Sequence, residues 1–309
     1  MKDSGLVKRK FPNIAEKIFK YFFLISVGYI IIFQLIFMLT YAFRPSSEMN
    51  DPSVIWISKG LTLQHFKDAI ETMDYVRTFF ITVLIQVASG LIEVLTCSFA
   101  AYAFARFKFK GRNIFFVLSI FTIVIPTQML AVPIYLNYAR FDVFGIFGLI
   151  DKITGVYLKP NLLDTGLVFY LPAIFGAGYK SGLFIFIYRQ FFKNLPKELE
   201  EAAAIDGAGS FMTFFKIVIP SSGVVFLTVT IFSVVWHWNE YSYSILLFDN
   251  NYPLAARLSM LQSSAAYGVI SDTGFSMAGC LLFGAPVLLM YIFLQKKFVK
   301  SIDRVGIVG

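Results

Sequence analysis

The sequence predicts an all-α integral membrane protein of six transmembrane helices, and three observations carry that prediction. The first is composition. The chain has 309 residues, of which 57% are hydrophobic, 18% aromatic and 15% charged, and its mean hydropathy is +0.70. Soluble domains carry about 25% charged residues, so a soluble class is a poor fit. The net charge of +8 is not gathered on one module, which argues against nucleic acid as a partner. The second is a set of six apolar runs, at about 21–43, 79–105, 114–136, 167–192, 217–238 and 274–295. Each is long enough to cross ~30 Å of hydrocarbon at ~1.5 Å per residue. The third is the placement of Lys and Arg. Six lie in the N-terminal tail (Lys2, Lys8, Arg9, Lys10, Lys17, Lys20) and four follow the second run (Arg106, Lys108, Lys110, Arg112). Four surround the fourth-to-fifth connection (Arg189, Lys193, Lys197, Lys216) and four lie in the C-terminal tail (Lys296, Lys297, Lys300, Arg304). These make eighteen of the 27 Lys and Arg. The positive-inside rule puts them, and both termini, in the cytoplasm.

The elements follow in order. Residues 1–20 read as a cytoplasmic tail. Residues 21–43 read as a first crossing that is retained, because no small-residue cleavage site follows a short apolar core. Residues 44–78, of mixed charge, form an external segment with helical stretches. Residues 79–295 hold a five-helix core, punctuated by Pro126 and Pro133 in the third run, Pro172, Gly176, Gly178 and Gly182 in the fourth, and Pro286 in the sixth. Proline removes a donor and kinks a helix, which a membrane helix tolerates where freed carbonyls meet a neighbour or a water-filled path. Interrupted helices mark transport paths, although Gly and Pro are also simply commoner in membrane helices. The loop 137–166 is expected to fold over the outer mouth. Residues 296–309 read as a cytoplasmic tail. Cys97 and Cys280 both fall in apolar runs, so no disulfide framework is implied.

The connection 193–216 is polar and alanine-rich. Asn194 is a capping residue type and Pro196 suits a first helical turn. Glu198, Glu200 and Glu201 oppose the positive end of a helix dipole, each contributing about 0.3–1 kcal/mol. Ala202, Ala203 and Ala204 favour helix and leave little bulk, so this helix can seat in a groove on another protein. Asp206 can bond backbone donors at the turn, Gly207 can supply its left-handed residue, and Ala208 follows. Glu201 is a natural partner for a basic residue on that protein. A helix lying on lipid would instead show a basic polar face and bulky apolar residues.

Two charges fall inside apolar runs, Glu93 in the second and Lys180 in the fourth. A charge at mid-membrane costs about 2.5–3.5 kcal/mol on insertion scales, which makes both functional candidates. Alternatively they pair with each other, or Lys180 snorkels. Lys180, Glu93, Gln128, Tyr135, Asn239, Glu240 and Tyr241 are the candidates for a solute path. If Lys180 faces the pore, an acidic oligosaccharide becomes an attractive solute. Trp236, Trp238, Tyr241 and Tyr243 cluster at the outer end of the fifth run, where aromatics stack on sugars or line an interface. His237 reads as a satisfied interfacial histidine rather than a base. Gly176-Ala177-Gly178-Tyr179-Lys180-Ser181 superficially resembles a phosphate loop, but the glycine before the lysine is missing and no strand precedes it. With only His65 and His237, no metal motif is present. No catalytic residue is expected, and the chain reads as a transport subunit rather than an enzyme.

The spacing Glu201-Ala202-Ala203, then Gly207, then nine residues and Ile217-Val218-Ile219-Pro220 resembles the EAA loop of binding-protein-dependent ABC importer permeases. Ala100-Ala101-Tyr102-Ala103-Phe104-Ala105-Arg106 with Lys110-Gly111-Arg112-Asn113 is similar to that family's second-helix exit and basic turn. Ile125-Pro126, Pro133-Ile134-Tyr135, Trp238-Asn239-Glu240-Tyr241 and Pro253-Leu254-Ala255-Ala256-Arg257-Leu258 resemble segments of its carbohydrate permeases, the group of the shorter maltose permease subunit. So does the exit Gln295-Lys296-Lys297-Phe298-Val299-Lys300. The resemblance covers nearly the whole chain. Two features depart from it: loop 137–166 is longer than usual, and the tail lacks the usual glycine after the lysine and the usual lysine before the final glycine.

The resemblance implies a type I ABC importer permease fold with a cytoplasmic coupling helix, in a prokaryotic inner membrane. It implies a homologous second permease, an ATPase dimer that carries ATP and Mg, an extracytoplasmic solute-binding protein and a sugar or oligosaccharide substrate. No cofactor is expected on this chain, and lipid surrounds it. The coupling residues would be Glu198, Glu201, Ala202, Ala203, Asp206, Gly207 and Ala208. The rival readings are an ion-coupled secondary transporter of a small solute, which needs a coupling-ion site and no docking helix, and an intramembrane enzyme.

Overall fold

The computed structural model describes residues 4–49, 51–54, 58–143, 145–266 and 273–306. Among them there is helix and no strand. The chain divides into two compact units, Met1–Thr72 with Leu261–Gly284, and Met73–Met260 with Ala285–Gly309.

In the first unit, α1 (Ser4–Ala42) covers the first apolar run and continues into what the sequence marked as a tail. Its apolar stretch Glu16–Ala42 buries none of its window, as expected of a helix that is hydrophobic all round. Phe43 packs on Phe66 of α2 (Gln64–Thr72), ring centroids 4.8 Å apart. Buried His65 donates from Nε2 to the Arg44 carbonyl at 2.8 Å. Glu48 accepts from the Ser58 hydroxyl at 2.7 Å and the Lys59 amide at 2.9 Å. Those bonds, Ser58's foremost, hold its carboxyl below the usual range. The segment 44–78 carries helix at Ser46–Glu48 and Gln64–Thr72, pinned by local polar contacts.

The second unit begins with α3 (Tyr75–Arg106), which contains a π-helical turn at Thr82–Val87. It continues through α4 (Arg112–Val124), α5 (Ala131–Ala139), α6 (Ile146–Thr154), α7 (Leu167–Ile174), α8 (Ser181–Asn194) and α9 (Glu198–Ile205). Then come α10 (Ser210–Ser221), α11 (Gly223–Trp238) and α12 (Ser242–Leu247). Two last helices, α13 (Leu254–Ala266) and α14 (Thr273–Gly306), give residues to both units.

The core of the second unit is α3 laid along α8, with α7 and α11 against α3. Small side chains on α3, Cys97 and Ala101, are fully buried and let large rings approach. From α8 come Phe184, Tyr188 and Phe192, four residues apart on one face and all fully buried. Phe214 joins them, 5.0 Å from the Tyr102 ring and 4.6 Å from Phe99. At Gly182 a Cβ would strike the Ser119 carbonyl and the Thr122 hydroxyl, so α8 crosses α4 at backbone distance.

Three apolar runs are not continuous helices. The third bends by 100° between α4 and the turn before α5. Its cause is Pro126, which forces Ile125 into the extended region (φ −69°, ψ 120°). The fourth is two short helices, with left-handed Gly176 (φ +64°) and Lys180 (φ +72°) between them. The fifth bends by 83° between α10 and α11. By length and apolarity, Glu16–Ala42, Tyr75–Arg106 and Thr273–Gln295 can each cross a membrane, and the two bent pairs raise that number to five. The fourth run falls short because its interruption splits it. At the other end, α14 runs through Pro286 to Gly306, so most of the expected tail is helix.

Loop 137–166 is largely ordered. The Asp142 carboxylate accepts from the Phe147 and Gly148 amides at 2.9 and 3.0 Å and pairs with Lys159 at 3.1 Å. Left-handed Gly145 and Gly155 bracket α6.

Candidate functional site: an acidic surface helix and a cavity at the helix breaks

The acidic helix α9 forms as expected in type but not in start. Asn194 ends α8 instead of capping α9, because Leu195 follows in extended conformation (φ −66°, ψ 136°) and the helix opens at Glu198. Glu198, Glu200 and Glu201 occupy its first turn. At the other end Gly207 takes φ +80°. The Gly207 amide donates to the Ala204 carbonyl (3.1 Å) and the Ala208 amide to the Ala203 carbonyl (2.9 Å), the bond pair of a Schellman cap. The Asp206 side chain takes no part in this turn and is exposed, which corrects its expected capping role.

Glu198, Glu201, Ala202, Asp206 and Gly207 are exposed, Ala208 is half-buried, and Ala203 is buried against the chain itself. Ala203 therefore anchors the helix and is not free to face a partner. The residue that sequence reasoning left out of this set is Glu200. Its Oε1 accepts from Arg106 Nε at 2.7 Å, with the arginine side chain only 7% exposed. Arg106 also donates to the Leu195 carbonyl at 2.7 Å, and Tyr102 reaches Glu200 Oε2 at 3.4 Å. A half-buried, charge-assisted bond of this kind contributes about 1.5–3 kcal/mol. It bolts the start of α9 to the end of α3. The sequence signal was an arginine closing an apolar run, which carries topology and family resemblance but does not show its partner. Beside this brace lies a groove of about 350 Å³, lined by Tyr102, Arg106, Lys197, Glu201, Ala204 and Ala208 among others.

The second feature is a cavity of about 290 Å³ walled by the breaks of the third and fourth runs and by α12. Lys180, Tyr179, Tyr138, Tyr243, Asn137, Thr122 and Thr127 line it together with apolar residues. Of the seven path candidates only Lys180 does so. Gln128, Tyr135, Asn239 and Tyr241 are exposed and outside its lining. The Asn239 amide donates to its own helix at Val235 (2.7 Å).

Glu93 and Glu240 lie behind the wall, buried. Glu93 accepts the Ser181 hydroxyl and, at 2.7 Å, His237 Nε2. That carboxylate places the His237 proton on Nε2 and leaves Nδ1 facing the Ser89 hydroxyl at 3.4 Å. Glu93 and Lys180 therefore do not pair with each other, and His237 is a core residue, 1% exposed, rather than an interfacial one. Trp238 is likewise buried, edge-on to Phe79. Gly178 passes over the Glu93 carboxyl so closely that a Cβ would collide with it. Glu240 accepts the Tyr243 amide at 2.7 Å. Where α7 ends, the Ala173 carbonyl takes the Thr96 hydroxyl at 2.7 Å. The glycine-rich stretch set aside as a false phosphate loop thus forms one edge of the cavity. Among the described residues no cluster of metal-ligating side chains occurs.

A bundle of broken apolar helices, with an acidic helix bolted to its end and a cavity at its breaks, has the layout of a membrane transport subunit. The chain belongs to the family described as "Binding-protein-dependent transport system inner membrane component", which matches residues 94–304. It is similar to the arabinooligosaccharides transport system permease protein AraQ of Halalkalibacterium halodurans, 27% identical over 286 residues that span 92% of this chain and 93% of the relative. It is also 27% identical, over 247 residues, to the probable starch degradation products transport system permease protein AmyC of Thermoanaerobacterium thermosulfurigenes, covering 80% of this chain and 81% of that one. In fold it is similar to a chain in the crystal structure of a bacterial ABC transporter that imports the acidic polysaccharide alginate. The TM-score there is 0.67 at 18% identity, over 92% of this chain and 98% of the other.

Proposed function

We propose that this chain is the transmembrane subunit of an ABC importer that brings a sugar or oligosaccharide into the cytoplasm. It crosses the membrane six times, the two bent pairs and the split fourth run each counting as one broken crossing, with both termini in the cytoplasm. The family and the carbohydrate permeases among its relatives support the class of solute. A solute-binding protein delivers that solute from outside, and a second, homologous permease completes the path. ATP and Mg are held by a separate ATPase dimer, and this chain holds neither.

The observation that carries the reading is α9: exposed Glu201 and Ala202 on a short helix, closed by a Schellman turn and braced by Arg106–Glu200. A helix so fixed at both ends moves as a rigid body. Force applied to it by an ATPase passes through the Arg106 brace into α3, and through the Gly207 turn into α10 and the bend above it. Pulling on this chain in solubilised membranes is expected to bring down the ATPase, and Glu201→Arg to release it while the chain stays folded. An ATPase that remains bound to Glu201→Arg, or never binds, defeats the coupling role. Solute uptake that persists with no ATPase present establishes an ion-coupled carrier in its place.

A further inference from the structure

Among the described residues, Lys180 is the one charged side chain lining the cavity at the helix breaks. Its backbone sits in the left-handed region at φ +72°, where a residue other than glycine is strained. Its ammonium stands over the Tyr179 ring, 5.1 Å from the centroid, and no carboxylate among the described residues pairs with it. The two nearby acids are engaged otherwise. Glu93 is occupied by Ser181 and His237, and Glu240 by the Tyr243 amide. Their effect is mechanical. Glu93 takes the Ser181 hydroxyl on one side of Lys180 and lies against Gly178 on the other, so the three-residue arch 178–180 is clamped at both feet. Glu240 fixes the backbone of Tyr243, which lines the same cavity.

The carboxylates therefore stay behind the wall while a cation is held out in front of it, among tyrosine rings and hydroxyl and amide groups. Aromatic faces and short polar side chains suit a sugar ring, and an unpaired ammonium in a largely apolar enclosure suits an anion on that ring. At about 290 Å³ the space lies at the small end of the ~300–1,000 Å³ common for small-molecule sites, so it takes a short segment of a chain. We propose that this cavity is a subsite for a carboxylate-bearing sugar, a uronate unit, with Lys180 as the residue that selects the charge. This rests on the permease reading and adds the chemical class of its solute.

The test is binding to the intact transporter, purified without its solute-binding protein so that only the membrane part selects. Equilibrium dialysis compares a labelled uronate disaccharide with its carboxyl-reduced, neutral counterpart. The expected result is at least a tenfold preference for the uronate. Lys180→Ala brings that preference to within twofold of unity, and Lys180→Arg keeps it within threefold of wild type. A wild-type transporter that binds both alike, only the neutral sugar, or neither overturns the proposal. So does a preference that survives Lys180→Ala or is lost in Lys180→Arg. If Lys180→Ala does not assemble, Lys180→Gln and the arginine variant decide by the same criterion. The permease reading stands or falls separately, on capture of the ATPase by wild type and not by Glu201→Arg.

Discussion

Asp164 shows how a single side chain closes a long loop. It sits at φ +59°, and its Oδ1 accepts the amides of Asp249, Asn250 and Asn251 at 3.2, 3.1 and 2.9 Å. Burial alone would raise its pKa, but the three amides outweigh burial and hold the carboxyl below the ordinary value. A group lowered in this way contributes stability that is complete above the unfolded value of about 3.9 and is lost as pH falls through the native one. The protection of the amides of residues 249–251, their exchange relative to the unprotected rate at each pH, should accordingly hold steady around neutral pH and fall only in strong acid. Protection lost already between pH 7 and 5 would contradict this. Asp164→Asn, which keeps one acceptor oxygen but no charge, is expected to exchange faster at neutral pH.

At the scale of elements, α9 depends on how it stops. Gly207 occupies a left-handed turn, whereas Gly209, two residues on, has φ −69° and open space around it. A Cβ at Gly207 costs about 1 kcal/mol and frays the last turn. Gly207→Ala should weaken ATPase capture by about fivefold, on the scale where 1.4 kcal/mol is tenfold, and Gly209→Ala should not change it. Equal behaviour of the two variants would show that the cap is not what orients the helix. The start of α9 also explains an error of sequence reading. Asn194 has the chemistry of a cap, yet the preceding helix claims it, and extended Leu195, kept out of the helical region by the proline that follows it, separates the two. Helix ends depend on which neighbour claims the residue first, and α8, buried on a full face of rings, wins.

For the whole molecule, the proposed topology assigns each connection to a side of the membrane. With Cys97 and Cys280 replaced, a membrane-impermeant maleimide added to intact cells should label a cysteine at Thr154, in the loop predicted to lie outside. It should not label one at Lys8 or at Ser301. Label at either terminus would remove a crossing or invert the chain, and would place α9 away from ATP. The bends belong to this scale too. Two of the proposed crossings turn by 83° and 100° and a third is split, so the second unit has three joints, two of which wall the cavity. Rigid helices that meet at such joints open and close a path by rocking rather than by stretching.

The sequence alone was sufficient for the membrane class, the apolar runs and the acidic helix with its glycine stop. Each rests on local physics: hydrophobic length, charge count, helix propensity and the freedom of glycine at positive φ. The family came from the resemblance of its motifs. It also marked Lys180 and Glu93 as exceptional, because charge inside an apolar run is visible without coordinates. Their roles were not visible. Which carboxylate meets His237, which of two charges faces the cavity, that Arg106 seizes Glu200, and that Ala203 turns inward all depend on tertiary partners, as far as 144 residues away for His237 and 94 for Arg106. Those pairings follow from how α3, α8 and α11 pack, and packing is a property of several faces at once that no single stretch of chain encodes.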